Sequence, residues 1–383
     1  MSSQAKYEYY LEIRGKYHRA SKKEKKVILD NFCDICGYNR TYAITLLNKG
    51  IEQVSPKNLS RRGRKAIYDD ALIETVLFDI WQVTNMPCSK RLKAMLADWL
   101  PFYTSHALSD DIRKKLLSIS AATIDRLLSP LRRVYKKKGI ATTKPGSLLK
   151  KHIPVKTNQW NEQEPGFLET DTVAHCGTSM AGMFVFTVNS VDIYSQWTAQ
   201  RAVWGKGEKG VLEAIADIES QLPFAIKGFD CDNGSEFLNW HLVRHFQERK
   251  EPVQFTRSRA YHKNDNAHIE NKNWTHIRQY LGYGRFDNPQ LVDMLNDLYR
   301  HEWSDYFNFF ICSVKLIEKK RVGAKVIKVY DKPQTPFQRL MNSNAIDEQT
   351  KQELQREKET LNPFELQRQM KKKIKDIMEL VYQ

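Results

Sequence analysis

Phe229-Asp230-Cys231-Asp232-Asn233-Gly234-Ser235-Glu236-Phe237 is the stretch that decides the fold. An apolar run, residues 224–229, leads into it, and an amphipathic segment, residues 236–249, leads out. The pattern predicts a buried strand ending at Asp232, a tight Asn-Gly turn and then a helix. A carboxylate on that edge is rigidly held and open, a suitable oxygen ligand for a hard cation.

Working outward, the spacing predicts strands over 167–174, 183–191, 197–204, 225–232 and 253–256. Helices are expected over 210–221, after Asp232, and over 267–281. Three consecutive strands followed by crossovers give an α/β, ribonuclease H-like topology: a mixed five-stranded sheet with flanking helices. In that topology the fourth strand lies beside the first. Asp171 then sits in a central strand among apolar neighbours, where a carboxylate is costly unless paired or bound to metal. Glu270 falls in the first turn of the last helix. Asp171, Asp232 and Glu270 are therefore the candidate catalytic and metal-binding residues, able to hold two Mg²⁺ (or Mn²⁺) ions for in-line phosphoryl displacement. Glu169 and Asp230 share their strand face two residues earlier and are rival acids. Asn233 and Glu236 are read as supports behind the ligands. His268, Lys272 and Arg278 are read as DNA contacts near the scissile phosphate.

Glu169-Thr170-Asp171, Asp232-Asn233-Gly234-Ser235-Glu236-Phe237 and Asn266-Ala267-His268-Ile269-Glu270 resemble the three blocks of the retroviral-integrase-like core of DDE transposases. The resemblance covers about residues 160–285. Asp232 and Glu270 are separated by 37 residues, slightly more than in retroviral members, which implies a small insertion ahead of the last helix. The His-His-Cys-Cys zinc module of retroviral integrases is absent from the sequence. Lys320-Arg321-Val322-Gly323-Ala324-Lys325-Val326, Tyr330-Asp331 and Thr335-Pro336-Phe337 also resemble a C-terminal block of this transposase group.

The chain has 383 residues and a net charge of +16. Residues 1–150 hold 29 of the 61 basic and 14 of the 45 acidic side chains, a surplus of 15. Nucleic acid bound by the N-terminal part is the indicated partner. No apolar run approaches a membrane span and the N-terminus is not a signal peptide, so a bacterial cytoplasmic, nucleoid-associated location is expected.

Residues 1–58 read as a helix-turn-helix domain. Ser21 and Glu24 form a capping box, Val27, Ile28, Phe32 and Ile35 an inward stripe, and Gly37 a break. Asn39 caps a second helix with Ala43, Ile44 and Leu47 turned inward. Arg40, Thr41 and Tyr42 occupy its first turn, where a recognition helix meets DNA. Cys33 and Cys36 form a CxxC pair, read as two thiols one helical turn apart more readily than as half of a zinc site. Residues 59–145 read as a second helical DNA-binding domain, with helices over 69–83, 88–100, 109–117 and 121–135. Its basic arm, Arg61, Arg62, Arg64 and Lys65, suits a minor groove. Arg126, Arg132 and Arg133 suit phosphates. A linker, 146–165, precedes the core, 166–285.

Residues 286–383 read as a mostly helical region for DNA binding or oligomerisation. It begins with a helix over 289–301 and the aromatic patch 303–310. A basic two-stranded segment over 315–330 follows, then helices broken at Asn362-Pro363.

The resemblance implies a transposase or integrase that binds terminal inverted repeats, cuts 3′ ends and joins them to target DNA. Double-stranded DNA and a homodimer or larger assembly are the implied partners. A catalytically inactive DNA-binding regulator and a ribonuclease H-like nuclease are the rival readings.

Overall fold

A computed structural model describes residues 3–48, 67–132, 162–232, 234, 236–257, 267–323 and 325–382. The basic arm at 61–65, Arg133 and Asn233 lie outside the described residues. The chain divides into two compact units, Met1–Ile67 and Tyr68–Gln383.

The first unit holds α1 (Ser3–Arg19), α2 (Lys22–Cys36) and α3 (Arg40–Asn48). Ser21 and Glu24 form the expected capping box, and Gly37 ends α2 in the left-handed region at φ 64°. The Tyr42 backbone N–H donates to Asn39 Oδ1 at 2.8 Å. The inward face differs from the expected one. Leu29, Phe32 and Cys36 of α2 meet Ala43 and Leu47 of α3 and Tyr10, Ile13 and Tyr17 of α1. Val27 and Ile35 are 59% and 50% exposed, and Ile44 is also outward. The reason is α1, which packs on α2 and selects a stripe one residue round. Cys36 is a core thiol whose pKa burial raises.

In the second unit the four expected helices are α4 (Ala71–Val83), α5 (Ser89–Trp99), α6 (Asp110–Ser118) and α7 (Ala121–Arg132). The sheet strands are β1 (Phe167–Ala174), β2 (Val185–Asp192), β3 (Thr198–Trp204), β4 (Gly228–Cys231) and β5 (Gln254–Arg257). Their order is β3-β2-β1-β4-β5. β1, β2 and β3 pair antiparallel, and β4 and β5 run parallel to β1. This is the mixed sheet the element order predicts.

α8 (Glu208–Ser220) and α9 (Trp240–Gln247) cover one face, where Phe229, Phe246 and Phe255 cluster. α9 begins four residues later than expected. Asn239 caps it by accepting from the Leu242 N–H at 3.0 Å, while Phe237 and Leu238 fold into the core ahead of it. The other face meets α10 (Ala267–Lys272), which continues through a π-helical stretch, Asn273–Arg278, into α11 (Gln279–Leu281). α12 (Gln290–Leu298), the hairpin strands β6 (Leu316–Val322) and β7 (Lys325–Tyr330), α13 (Pro336–Met341), α14 (Glu348–Thr360) and α15 (Pro363–Val381) complete the unit.

The expected boundaries at 146 and 286 do not separate bodies. α4–α7 share one apolar core with α12, α15 and the aromatic patch, in which Trp303, Tyr306, Phe309 and Phe310 are buried. Trp99 Nε1 donates to the Phe310 carbonyl at 3.2 Å, and Tyr306 Oη to the Val83 carbonyl at 2.7 Å. The five aromatic side chains of residues 303–310 cannot be left in water, so the patch fixes the second helical region to the sheet.

Candidate active site

Register brings the two aspartates together. β1 and β4 run in parallel with Thr170 beside Cys231, so the next residues, Asp171 and Asp232, emerge side by side at the C-terminal edge. Asp171 Oδ1 accepts from the Thr172 N–H at 2.7 Å and Oδ2 from Asn273 Nδ2 at 2.7 Å. Asp232 Oδ1 accepts from the Gly234 N–H at 2.8 Å. Glu236, buried behind them, accepts from Thr172 Oγ1 at 3.1 Å and pairs with Lys206 Nζ at 3.5 Å. A Cβ on Gly234 would stand 2.6 Å from the Glu236 carboxylate and 2.9 Å from Asp232 Oδ1, so glycine is required there.

Burial first, and then the negative charge of Asp232, raise the Asp171 pKa. Burial also raises Asp232; the Gly234 N–H opposes it and Glu236 adds to it. Two hard oxygen donors that resist ionising together are the donor set a divalent cation stabilises. Asp171 and Asp232 therefore fit Mg²⁺ or Mn²⁺.

The rival acids have other partners. Glu169 is buried and accepts from the Ile269 N–H at 3.1 Å, which ties the first turn of α10 to β1. Burial pushes its pKa well up. Asp230 accepts from Thr256 Oγ1 at 2.5 Å. Glu270 is in the first turn of α10 with an exposed side chain. It lies one helical turn before Asn273, which touches Asp171. Among the described residues no three His, Cys, Asp or Glu side chains are grouped closely enough to hold a metal ion. The pair Asp171 and Asp232 is thus assembled, and Glu270 is not drawn in with it.

Sequence reading missed a chain of amides that orients Asp171. Gln200 Nε2 donates to Asn189 Oδ1 at 2.9 Å, Asn189 Nδ2 to Asn273 Oδ1 at 2.7 Å, and Asn273 to Asp171. Asp171, Asn189 and Gln200 are successive cross-strand partners on β1, β2 and β3. The available signal was Asn189 and Gln200, two amides inside strands that are otherwise buried. Asn189→Leu would leave its amide neighbours without partners, and a loss of about 1–3 kcal/mol in urea unfolding is expected. An unchanged midpoint would show that the chain carries no strain-bearing bonds.

Two expected DNA contacts are corrected, and a third, Arg278, is half-buried and bonded within the protein. His268 and Lys272 are buried, 7% and 4% exposed. His268 Nδ1 accepts from Gln196 Nε2 at 3.1 Å, and burial lowers its pKa to about 3. Burial also depresses Lys272 strongly, with Arg91 and Arg339 adding to the effect. Arg278 donates to the Ala174 carbonyl at 2.7 Å and stacks over Tyr283. α10 turns His268 and Lys272 toward the protein because Glu169 holds the Ile269 N–H and Asn273 reaches Asp171. Arg132 is likewise engaged, with Asp125, Ser89 and the Trp81 ring. Arg126 is exposed, as are Arg40, Thr41 and Tyr42, although Arg40 pairs with Asp30.

No family model matches the chain. Among solved structures it is similar to a chain of the simian T-cell lymphotropic virus intasome in complex with PP2A regulatory subunit B56 gamma. That likeness has 12% identity and a TM-score of 0.30, covering 51% of this chain and 63% of that one. The HTLV-2 integrase catalytic core domain in complex with magnesium gives 14% identity and a TM-score of 0.28, over 39% of this chain and 90% of that one. The BIV integrase catalytic core gives 11% and 0.28, over 45% and 91%. The uncharacterized protein y4rM of Sinorhizobium fredii is 36% identical over 331 residues, which is 85% of this chain and 92% of that protein. At that identity and coverage the chain belongs to the family of y4rM.

Proposed function

We propose that the chain is a DDE-type DNA transposase or integrase, a polynucleotidyl transferase acting on the ends of its own bacterial insertion element. The observation that carries this reading is the β1–β4 register, which sets Asp171 and Asp232 side by side at the open edge of a ribonuclease H-like sheet. Asp171 and Asp232 would hold the divalent ions, with Glu270 completing the set from α10 when DNA is present. The bound ions would lower the barrier to in-line displacement at phosphorus by stabilising charge on the attacking and leaving oxygens. The protein's own part is placement. Asn273, Asn189 and Gln200 fix the Asp171 carboxylate, the Gly234 N–H fixes Asp232, and Glu169 fixes the helix bearing Glu270. Exposed Arg40, Thr41 and Tyr42 suit recognition of the terminal repeats. Joining two ends in one reaction calls for at least a dimer.

The reading is tested by strand transfer on duplex ends taken from inverted repeats that bracket the gene. Asp171→Asn and Glu270→Gln should each lose at least roughly 100-fold, several kcal/mol of transition-state stabilisation. Full activity in both variants would remove the assignment. Binding of those ends with no cleavage in Mg²⁺ or Mn²⁺ would favour a regulator instead, and degradation of an RNA–DNA hybrid a nuclease.

A further inference from the structure

The β6–β7 hairpin pairs with no other strand among the described residues. All six residues of β7 are exposed. Ile317, Val322, Val326, Ile327 and Val329 stand outward, between 43% and 62% exposed. A lone two-stranded ribbon of this kind is marginally stable in water, and β-branched residues on both faces have nothing to bury against.

Its charge pattern is as unusual as its exposure. Each of the four outermost cross-strand pairs contains a cation: Lys319 with Lys328, Lys320 with Ile327, Arg321 with Val326, and Val322 with Lys325. Lys320, Lys325 and Lys328 are exposed on the ribbon. Glu318 is the one acid in residues 316–330. Cations clustered in this way repel one another and attract a polyanion.

The root of the ribbon is clamped. Lys315 and Asp331 exchange backbone contacts: the Asp331 N–H donates to the Lys315 carbonyl at 2.9 Å, and the Lys315 N–H to Asp331 Oδ1 at 2.6 Å. Arg339, buried at the base, donates to Asp331 Oδ2 at 2.9 Å and to Ser313 Oγ at 2.8 Å. The blade is thus aimed by a rigid stem.

We infer that this hairpin is a DNA-binding ribbon that inserts into a groove of duplex DNA, outside the carboxylate site; the inference rests on the reading of the chain as a DNA-processing enzyme. At about 3.4 Å per residue each strand reaches roughly 20 Å, and a two-stranded ribbon fits a major groove about 12 Å wide. Lysines meet phosphates on the groove walls while Val322 and Ile327, which share one face of the ribbon, meet apolar base edges. A second copy of the chain is the poorer occupant. Its ribbon would bring the same cations, and lysines along an edge oppose strand pairing.

The full chain is titrated onto a labelled duplex of unrelated sequence at several salt concentrations, alongside K320S/K325S/K328S and the charge-preserving K320R/K325R/K328R. The serine variant should bind about tenfold or more weakly near physiological salt. Its log–log salt slope should be shallower by about 2–3, one counterion per lost phosphate contact. The arginine variant should match the parent, and sedimentation should give the same assembly state for all three. Equal binding by parent and serine variant overturns the hairpin assignment alone, and loss in both variants also overturns it, as does a serine variant whose assembly state changes while its salt slope does not. A parent that binds no duplex overturns it together with the functional reading.

Discussion

Asp232→Asn is expected to abolish strand transfer, by roughly 1,000-fold or more, and at the same time to raise the melting temperature of the metal-free protein. The two effects share one cause. Asp171 and Asp232 are raised above the ordinary aspartate range by burial, with Asp171 raised further by Asp232. A group whose folded pKa is raised contributes stability that is complete below its unfolded pKa, near pH 4 for aspartate, and is lost as pH rises through the folded value. The metal-free fold therefore weakens between about pH 4 and neutrality as both carboxylates are made to ionise.

Asparagine keeps the oxygen that accepts from the Gly234 N–H and removes the charge. A gain of about 1–3 kcal/mol at neutral pH follows, at about 2 °C of melting temperature for each kcal/mol. The gain should vanish near pH 4, where the parent's pair is already neutral. Mg²⁺ or Mn²⁺ should stabilise the parent by about 2.7 kcal/mol at a hundred times its dissociation constant and the variant far less. Melting curves in chelator and in metal, at both pH values, check this. A variant less stable than the parent in chelator at neutral pH would mean that the two carboxylates do not repel.

The sheet was legible because its strands announce themselves twice, by β-branched and aromatic runs and by the turn at Asp232. Asp171 and Asp232 were legible for a related reason: an acid inside or ending an apolar strand has few structural explanations. The side to which α10 turns its residues was not legible. His268, Glu270 and Lys272 lie within five positions, and periodicity alone does not say which of them faces the protein. That choice is made by Glu169, whose buried carboxylate holds the Ile269 N–H, and by Asn273, which reaches Asp171. The amide chain was hidden for the same reason, since Gln200, Asn189 and Asn273 become neighbours only through strand register and helix packing.

The reach of the aromatic patch was likewise invisible, and it leads to the second large expected effect. Trp99→Ala should destabilise the whole of Tyr68–Gln383 by about 3–5 kcal/mol. Trp99 is fully buried. It donates to the Phe310 carbonyl and packs edge-on against Phe364 at 4.9 Å and Tyr306 at 6.1 Å between ring centroids. Lys358 closes the same junction through Asp98 at 2.7 Å. A separate DNA-binding domain over 59–145 would lose its own melting transition on this substitution and leave the β1–β5 sheet untouched. One shared core behaves differently, because the cavity left by the indole is lined by residues of α5, the aromatic patch and α15 together. A single transition shifted to lower temperature, followed in parallel by far-ultraviolet ellipticity and by protection of β1 and β2 amides from exchange, is the expected result. Intact protection of β1 and β2 after loss of the α4–α7 helices would show that the core is divided after all.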